Sequence, residues 1–395
     1  MRFVRLFWFI LMLQILWGVG YADEVLTKDS IERGVIEWIK GDGKGGFELK
    51  IGSVVLNLND VGAVHFARRK MTKSGKCLVA VVGGSRLYVE NIKYDAEKSM
   101  FQLEVCDIGK IEMNANMVRA IFVPENIKDT GFIEDTLKHE AACDTVFLTT
   151  GSKVEGTLTS FGTDIIGFNS PSLGGEVSIK VKEIMGVVLT LLVKEGVEKG
   201  EPDVALYTLS GNLLRGVLTS ATGEGLKVKT RAGELSVSIN AIETIGFYRS
   251  DIVYLSDIEP FSVKETPFFD RFLYPYQRDR SLEKKAPISM RGNIYRKGIS
   301  VHSKTELTYR LDGQYKRFMA LIGIDDEAMG KGNVDFAVIA DGKTVYEKKG
   351  VTGRDAPSFV KLDLSGVKEI VLVVDFGEQL DILDRAVWAD AILMK

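Results

Sequence analysis

Histidine and cysteine are scarce in this 395-residue chain, three of each, and the scarcity excludes a good deal. Cys77, Cys106 and Cys143 are too few, and odd in number, for a disulfide framework to carry stability. Cys77 and Cys106 have the option of pairing, and packing of all three as small buried hydrophobes is the alternative. His65, His139 and His302 fall in separate regions and offer no zinc constellation. An excess of one charge is missing too: 51 Lys+Arg against 54 Asp+Glu leave a net of −3, without the concentrated basic face that nucleic acid requires. No Ser/His/Asp, Cys/His or facing-carboxylate arrangement is recoverable, which places hydrolase chemistry last.

A long hydrophobic run is also lacking. The apolar stretch Leu6–Trp17 follows Arg2 and Arg5 and is shorter than the ~20 residues of a spanning helix. Small residues at Gly20 and Ala22 in "GVGYADE" then supply a cleavage site. These features read residues 1–22 as a signal peptide cut after Ala22. The mature chain is expected to be secreted or held in the periplasm or cell envelope, without membrane insertion.

What the chain does contain is self-similarity. "LTTGSKVEGTLTS" from Leu148 matches "YTLSGNLLRGVLTS" from Tyr207, with Gly151 answering Gly211 and Gly156 answering Gly216. "LTKDSIERGVIEW" from Leu26 fits the same frame with Gly34 in the second glycine position, and a weaker copy carries Val89 there. Each copy holds about five short alternating or β-branched runs separated by turn residues, the signature of a small bent barrel. The second glycine suits a place where backbones approach closely. The expected organisation is repeats at 23–68, 77–124 (divergent), 144–190 and 203–248, then a distinct unit at 251–395. The spacing resembles SH3-like or Sm-like barrels, with one continuous sheet as the open alternative. "GDGKGG", Gly41–Gly46, satisfies the dinucleotide fingerprint but precedes an alternating strand pattern, so it reads as a hairpin tip.

In the last unit, Asp312-Gly313 and Asp341-Gly342 stand between alternating runs and read as hairpin turns. About eight strands are expected there, a two-sheet sandwich of jelly-roll type. The stretches "TPFFDRFLYPYQRDRS", "YRKGISVHSKTELTYRLDGQYKRFMALIGIDDE", "VDFAVIADGKTVYE" and "DRAVWADAIL" occur in an order that resembles the NPCBM domain, a carbohydrate-binding module of secreted bacterial proteins. The resemblance covers Tyr254 to Lys395. It implies a galactose-binding-like sandwich, a non-catalytic role directed at glycans, and calcium at a structural site in some relatives.

Candidate site residues follow. His302 can exchange hydrogen bonds with sugar hydroxyls, although a lone histidine is more often structural. Tyr274 and Tyr276 belong to an aromatic segment with Phe268, Phe269 and Phe272, which either packs over the sandwich or forms a contact platform. Trp388 can stack on a sugar, but a large ring in a strand favours the core. Asp390, two residues on, is expected on the same face and needs a partner if buried. Asp325, Asp326 and Glu327 are consecutive carboxylates before a glycine pair. They shape a turn or, alternatively, ligate calcium. No cofactor is otherwise implied. The expected partner is a glycan, recognised without catalysis, and the rival is a cell-envelope scaffold that contacts other proteins through strand edges.

Overall fold

The computed structural model describes residues 22–67, 72, 74–129, 131–138, 142–191, 204–268, 273–284, 286–378 and 380–395. Nearly all of the signal segment, His139, Phe269, Phe272 and the 194–203 connector lie outside them.

Period-2 alternation sets the strands. Gly225–Thr230 buries every second residue, as a strand with one wet face must. In each repeat the first strand pairs with the second and with the last, bending the repeat into a small, partly open barrel. The first strands are Asp23–Thr27, Cys77–Val81, Asp144–Leu148 and Val204–Thr208, and their last-strand partners are Val61–His65, Val118–Phe122, Ile184–Val188 and Ile242–Phe247. A single 3-10 turn precedes each last strand. The second glycine is the partner of the residue that opens the barrel: Asp23 pairs with Gly34, Asp144 with Gly156, Val204 with Gly216, and Cys77 with Val89. A Cβ on Gly156 would lie 2.1 Å from the Asn169 carbonyl oxygen, and one on Gly216 2.2 Å from that of Lys229. The strand bends there because no side chain opposes it.

The barrels are fused through their last strands. Ala120–Phe122 pairs with Gly186–Val188, and Thr244–Gly246 with Ala63–His65. One hydrogen-bonded network of 18 strands results, over a shared apolar core. "GDGKGG" is a hairpin tip: the Asp42 carboxylate accepts the Lys44 and Gly46 amides at 2.7 and 2.8 Å. The cysteines are free, Cys77 is buried, and burial pushes its thiol up to about 11. The Cys77–Cys106 pairing is therefore not made.

The last unit is a β-sandwich. One sheet runs Gln277–Arg278, Gly298–Val301, Ala386–Met394, Arg317–Ile324, Ser358–Asp363, with Ile252–Tyr254 on the far half of Ala386–Met394. The other runs Ser262–Glu265, Thr305–Arg310, Glu369–Phe376, Asn333–Ala340, Lys343–Thr352. These, with the Ile288–Met290/Asn293–Tyr295 hairpin, exceed the expected eight strands, because segments of two to four residues carry too little alternation to be read. Asp341-Gly342 makes the expected tight turn, closing the Ala340–Lys343 pair with both residues at positive φ. Asp312-Gly313 does not make a hairpin: Thr305–Arg310 and Arg317–Ile324 lie in different sheets, so this connection arches over the core.

The sandwich is docked on the first and fourth repeats. Leu26 and Ala63 pack against Ile252, Met319 and Ile392. Polar groups cross the same junction. His65 Nε2 lies 2.6 Å from Asp390 Oδ2, the Tyr295 hydroxyl donates to Glu24 at 2.6 Å, and Arg296 forks onto Glu243 at 2.6 and 2.8 Å.

Candidate functional site

Three clefts lie in the repeats. One of about 560 Å³ is lined by Asn91, Lys93, Gln102 and Glu112 among others, and one of about 430 Å³ lies between the second and third repeats. Neither of these linings includes an aromatic ring, and a third cleft of about 440 Å³ has Tyr94 alone. Two of the residues singled out in the sequence, Tyr274 and His302, meet instead at one end of the sandwich, where the loops around Tyr274, His302 and Arg385 come together.

There Tyr274 lies between two cationic or polar planes. Its ring stacks on His302 with centroids 4.8 Å apart, and the Arg385 guanidinium sits 4.3 Å from its centroid. The Tyr274 hydroxyl makes no hydrogen bond among the described residues. The Arg385 side chain is only 5% exposed. Its Nη2 donates to Glu283 at 2.9 Å and its Nε faces Glu327 Oε1 at 3.9 Å, an ion pair too long for a hydrogen bond, while Nη1 has no partner among the described residues. Unspent donors on a buried guanidinium are costly unless something else accepts from them.

His302 Nδ1 meets the Ser303 carbonyl at 2.8 Å. Burial lowers the His302 pKa; the Ser303 carbonyl opposes this, and the Arg385 charge adds to it. The ring is neutral at pH 7. Asp384 accepts from the Ser303 hydroxyl at 2.5 Å and the Asn333 amide at 2.9 Å. Burial pushes its carboxyl up to about 6, against those two hydrogen bonds. Around this polar base, Leu273, Leu380 and Ile382 are 56%, 42% and 60% exposed, giving an apolar rim.

Other candidates go elsewhere. Tyr276 packs against the main core, its amide bound to Glu265 at 2.6 Å and its hydroxyl to Glu259 at 3.2 Å; it is not in the Tyr274 cluster. Trp388 is fully buried, edge-on to Phe336 at 5.1 Å, and no sugar reaches it without opening the core. Asp390 is 1% exposed and does not share the Trp388 face. The Ala386–Met394 strand shifts register against Arg317–Ile324 at this point, and Asp390 sits in the irregularity at φ 43. A bulge turns the inserted residue out of phase, here towards His65.

The acidic corner is a set of three separate anchors. Asp325 caps the Asp326–Ala328 turn through the Glu327 amide at 2.9 Å and also accepts from Ser289 at 3.2 Å. Asp326 takes the Arg291 and Gly292 amides at 2.8 and 2.7 Å, and Glu327 those of Glu283 and Lys284 at 3.1 and 3.2 Å. The carboxylates diverge onto different backbone segments, so this corner is not built as a shared calcium cage. Among the described residues no group of three His, Cys, Asp or Glu could hold a metal ion.

Sequence reasoning missed Arg385, Asp384 and Ser303. A charged Asp-Arg pair opening an otherwise apolar strand was the available signal, since such a pair must be partnered or functional.

Comparison with known proteins places this end in context. Residues 251–394 match the NPCBM/NEW2 domain. A protein of Renibacterium salmoninarum named "Putative endo-alpha-N-acetylgalactosaminidase" is 30% identical over 105 residues, 25% of this chain and 7% of that protein. The chain thus spans less than a tenth of that relative. Among solved structures, a CBM51 from Clostridium perfringens GH95 in complex with methyl-galactose is 28% identical, with a TM-score of 0.33, over 36% of this chain and 99% of that one. CBM51-2 with GlcNAc and INT domains from Clostridium perfringens ZmpB is 24% identical, with a TM-score of 0.34, over 43% and 36%.

Proposed function

Residues 251–394 are an NPCBM/NEW2 domain, and on that premise we propose that the protein is an exported, non-catalytic glycan binder whose contact site is the Tyr274–His302–Arg385 cluster. The supporting observation is the buried guanidinium, whose Nη1 has no acceptor among the described residues and whose Nε only faces Glu327 at 3.9 Å, beneath a tyrosine that no hydrogen bond holds. A sugar combines hydroxyl acceptors with apolar C–H faces. A swing of the Tyr274 ring off Arg385 lets that ring pack on the C–H face of a sugar while the sugar's hydroxyl oxygens reach the guanidinium N–H groups. Leu273, Leu380 and Ile382 offer the apolar rim on which the C–H face rests.

The recognition is shallow, so avidity from clustered ligands carries useful affinity. A non-catalytic role is favoured because three nearby carboxylates are already engaged: Asp384 by Ser303 and Asn333, Glu327 by two amides, Glu283 by Arg385. Calcium is not required in this reading, since the corner carboxylates are spent on backbone amides.

The second reading, an envelope scaffold, has one feature in its favour. The strand before the last in each repeat, Val54–Asn57, Gly109–Asn114, Gly175–Lys180 and Gly233–Ser238, pairs on one side only, leaving edges that an extended peptide could join. Competition separates the two. A captured partner that is released by free sugar is a glycan. A partner retained in excess sugar and lost after proteolysis is a protein, and that result rejects the glycan reading.

A further inference from the structure

A second cluster lies where the second repeat, the fourth repeat and the sandwich meet, and the loop-end site does not use it. Tyr88, Tyr207 and Tyr248 present half-buried rings there. None of their hydroxyls has a hydrogen-bond partner among the described residues, and none is among the fully enclosed unpaired polar atoms. Burial is the leading cause that raises all three phenol pKa values. Rings that are deep yet keep unpartnered hydroxyls in contact with solvent line a recess.

Arg215 lies in the same place. Its guanidinium is 5.4 Å from the Tyr248 ring centroid, and among the described residues it has neither a carboxylate nor a hydrogen-bond acceptor; its Nε is enclosed and unpaired. The bare Gly84, at φ +84 in a turn of the second repeat, admits the Arg215 stem, since a Cβ there would come within 3.2 Å of Cδ. Three neighbouring cations are matched. Arg86 forks onto Glu134 at 2.5 and 2.8 Å, Arg296 onto Glu243, and Lys297 reaches Asp257 and Asp279, each at 2.6 Å. Arg215 is left without a counter-ion among the described residues, with an aromatic ring beside it.

We propose that this three-way junction is a second binding site, which takes a carboxylate-bearing sugar unit of an acidic glycan. Arg215 forks onto the carboxylate, a geometry guanidinium matches with two parallel N–H bonds. Tyr207 and Tyr248 contact the sugar ring and hydrogen-bond its hydroxyls. The one guanidinium beside these rings suits a monoanion better than a doubly charged phosphate. The side chains come from the repeats, so the sandwich alone lacks the site, and it stands or falls independently of the loop-end cluster.

The test is calorimetric titration of the full chain with a glucuronic-acid-terminated disaccharide and with its neutral glucose counterpart. Saturable binding of the acidic probe is expected, weaker in added salt and about tenfold weaker in Arg215→Gln, the loss of one charge-assisted fork. Arg215→Lys keeps the charge but not the fork and should fall between the two. Tyr274→Ala, at the other site, should leave this binding unchanged. Equal binding of the neutral probe, no binding, or an unaltered affinity in a folded Arg215→Gln protein overturns the proposal. Loss in Tyr274→Ala would move the acidic sugar to the loop end and overturn it as well.

Discussion

Replacing His65 by leucine should loosen the whole assembly, because this imidazole is the charged rivet between the repeats and the sandwich. Its Nε2 faces Asp390 at 2.6 Å and its Nδ1 the Ile294 carbonyl at 3.1 Å. Both partners only accept, so both ring nitrogens donate and the imidazolium is the resident species. Burial alone would lower its pKa; the Asp390 charge and hydrogen bond, then Glu24 and the Ile294 carbonyl, outweigh that and raise it. Tyr295 packs on the ring at 4.7 Å and passes its hydroxyl to Glu24, which Arg33 also holds at 2.8 Å. Both side chains of the His65–Asp390 pair are 2% exposed, so His65→Leu strands a buried Asp390 anion, at a cost of about 3–5 kcal/mol. The double change His65→Leu/Asp390→Leu should recover most of it. A raised folded pKa means the stabilisation is complete below the unfolded value of about 6.5 and fades as pH climbs through the folded one. Chemical denaturation at about pH 6 and about pH 9 should therefore show a wide gap between wild type and variant at the lower pH and a narrow one at the higher. A loss under about 1 kcal/mol, or a gap independent of pH, refutes this reasoning.

Gly216→Ala places a Cβ 2.2 Å from the Lys229 carbonyl oxygen, and calorimetric unfolding should show about 1–3 kcal/mol lost; a neutral result would mean the strand bends for another reason. Asp325 is pushed up to about 7, first by burial, with the Glu327 and Asp326 charges adding and two amides opposing. Because its folded pKa lies above the unfolded one, its contribution is full at low pH and lost as pH rises towards 7. Asp325→Asn should thus flatten the fall in melting temperature between about pH 4 and 7, and an unchanged slope counts against a protonated Asp325. Adding calcium or a chelator should leave the melting temperature where it is; a clear calcium-dependent rise would restore a cation to the protein.

The β character was legible because burial on one face of a strand imposes period two, and Asp341-Gly342 was legible because a two-residue turn needs positive φ at both positions. Asp312-Gly313 misled for a physical reason: local turn chemistry does not say which sheet the next strand joins. The phase of Asp390 was lost at a bulge, which depends on the neighbouring strand rather than on its own sequence. Tyr274 and His302 were visible as residue types suited to sugar contact, whereas Arg385 became meaningful only once its unspent donors were seen under Tyr274. The acidic corner read as three clustered charges, and its partners are amides 34 to 44 residues earlier in the chain for Asp326 and Glu327, a separation no local pattern encodes.

The most direct test of the central claim is a glycan-array screen of the full chain beside its Tyr274→Ala and Arg385→Gln variants, each first shown to be folded. The expected result is saturable binding to a defined sugar class by the wild type, weakened in both variants. A blank array from folded protein, or binding that neither variant alters, would contradict glycan recognition at the loop end of the sandwich.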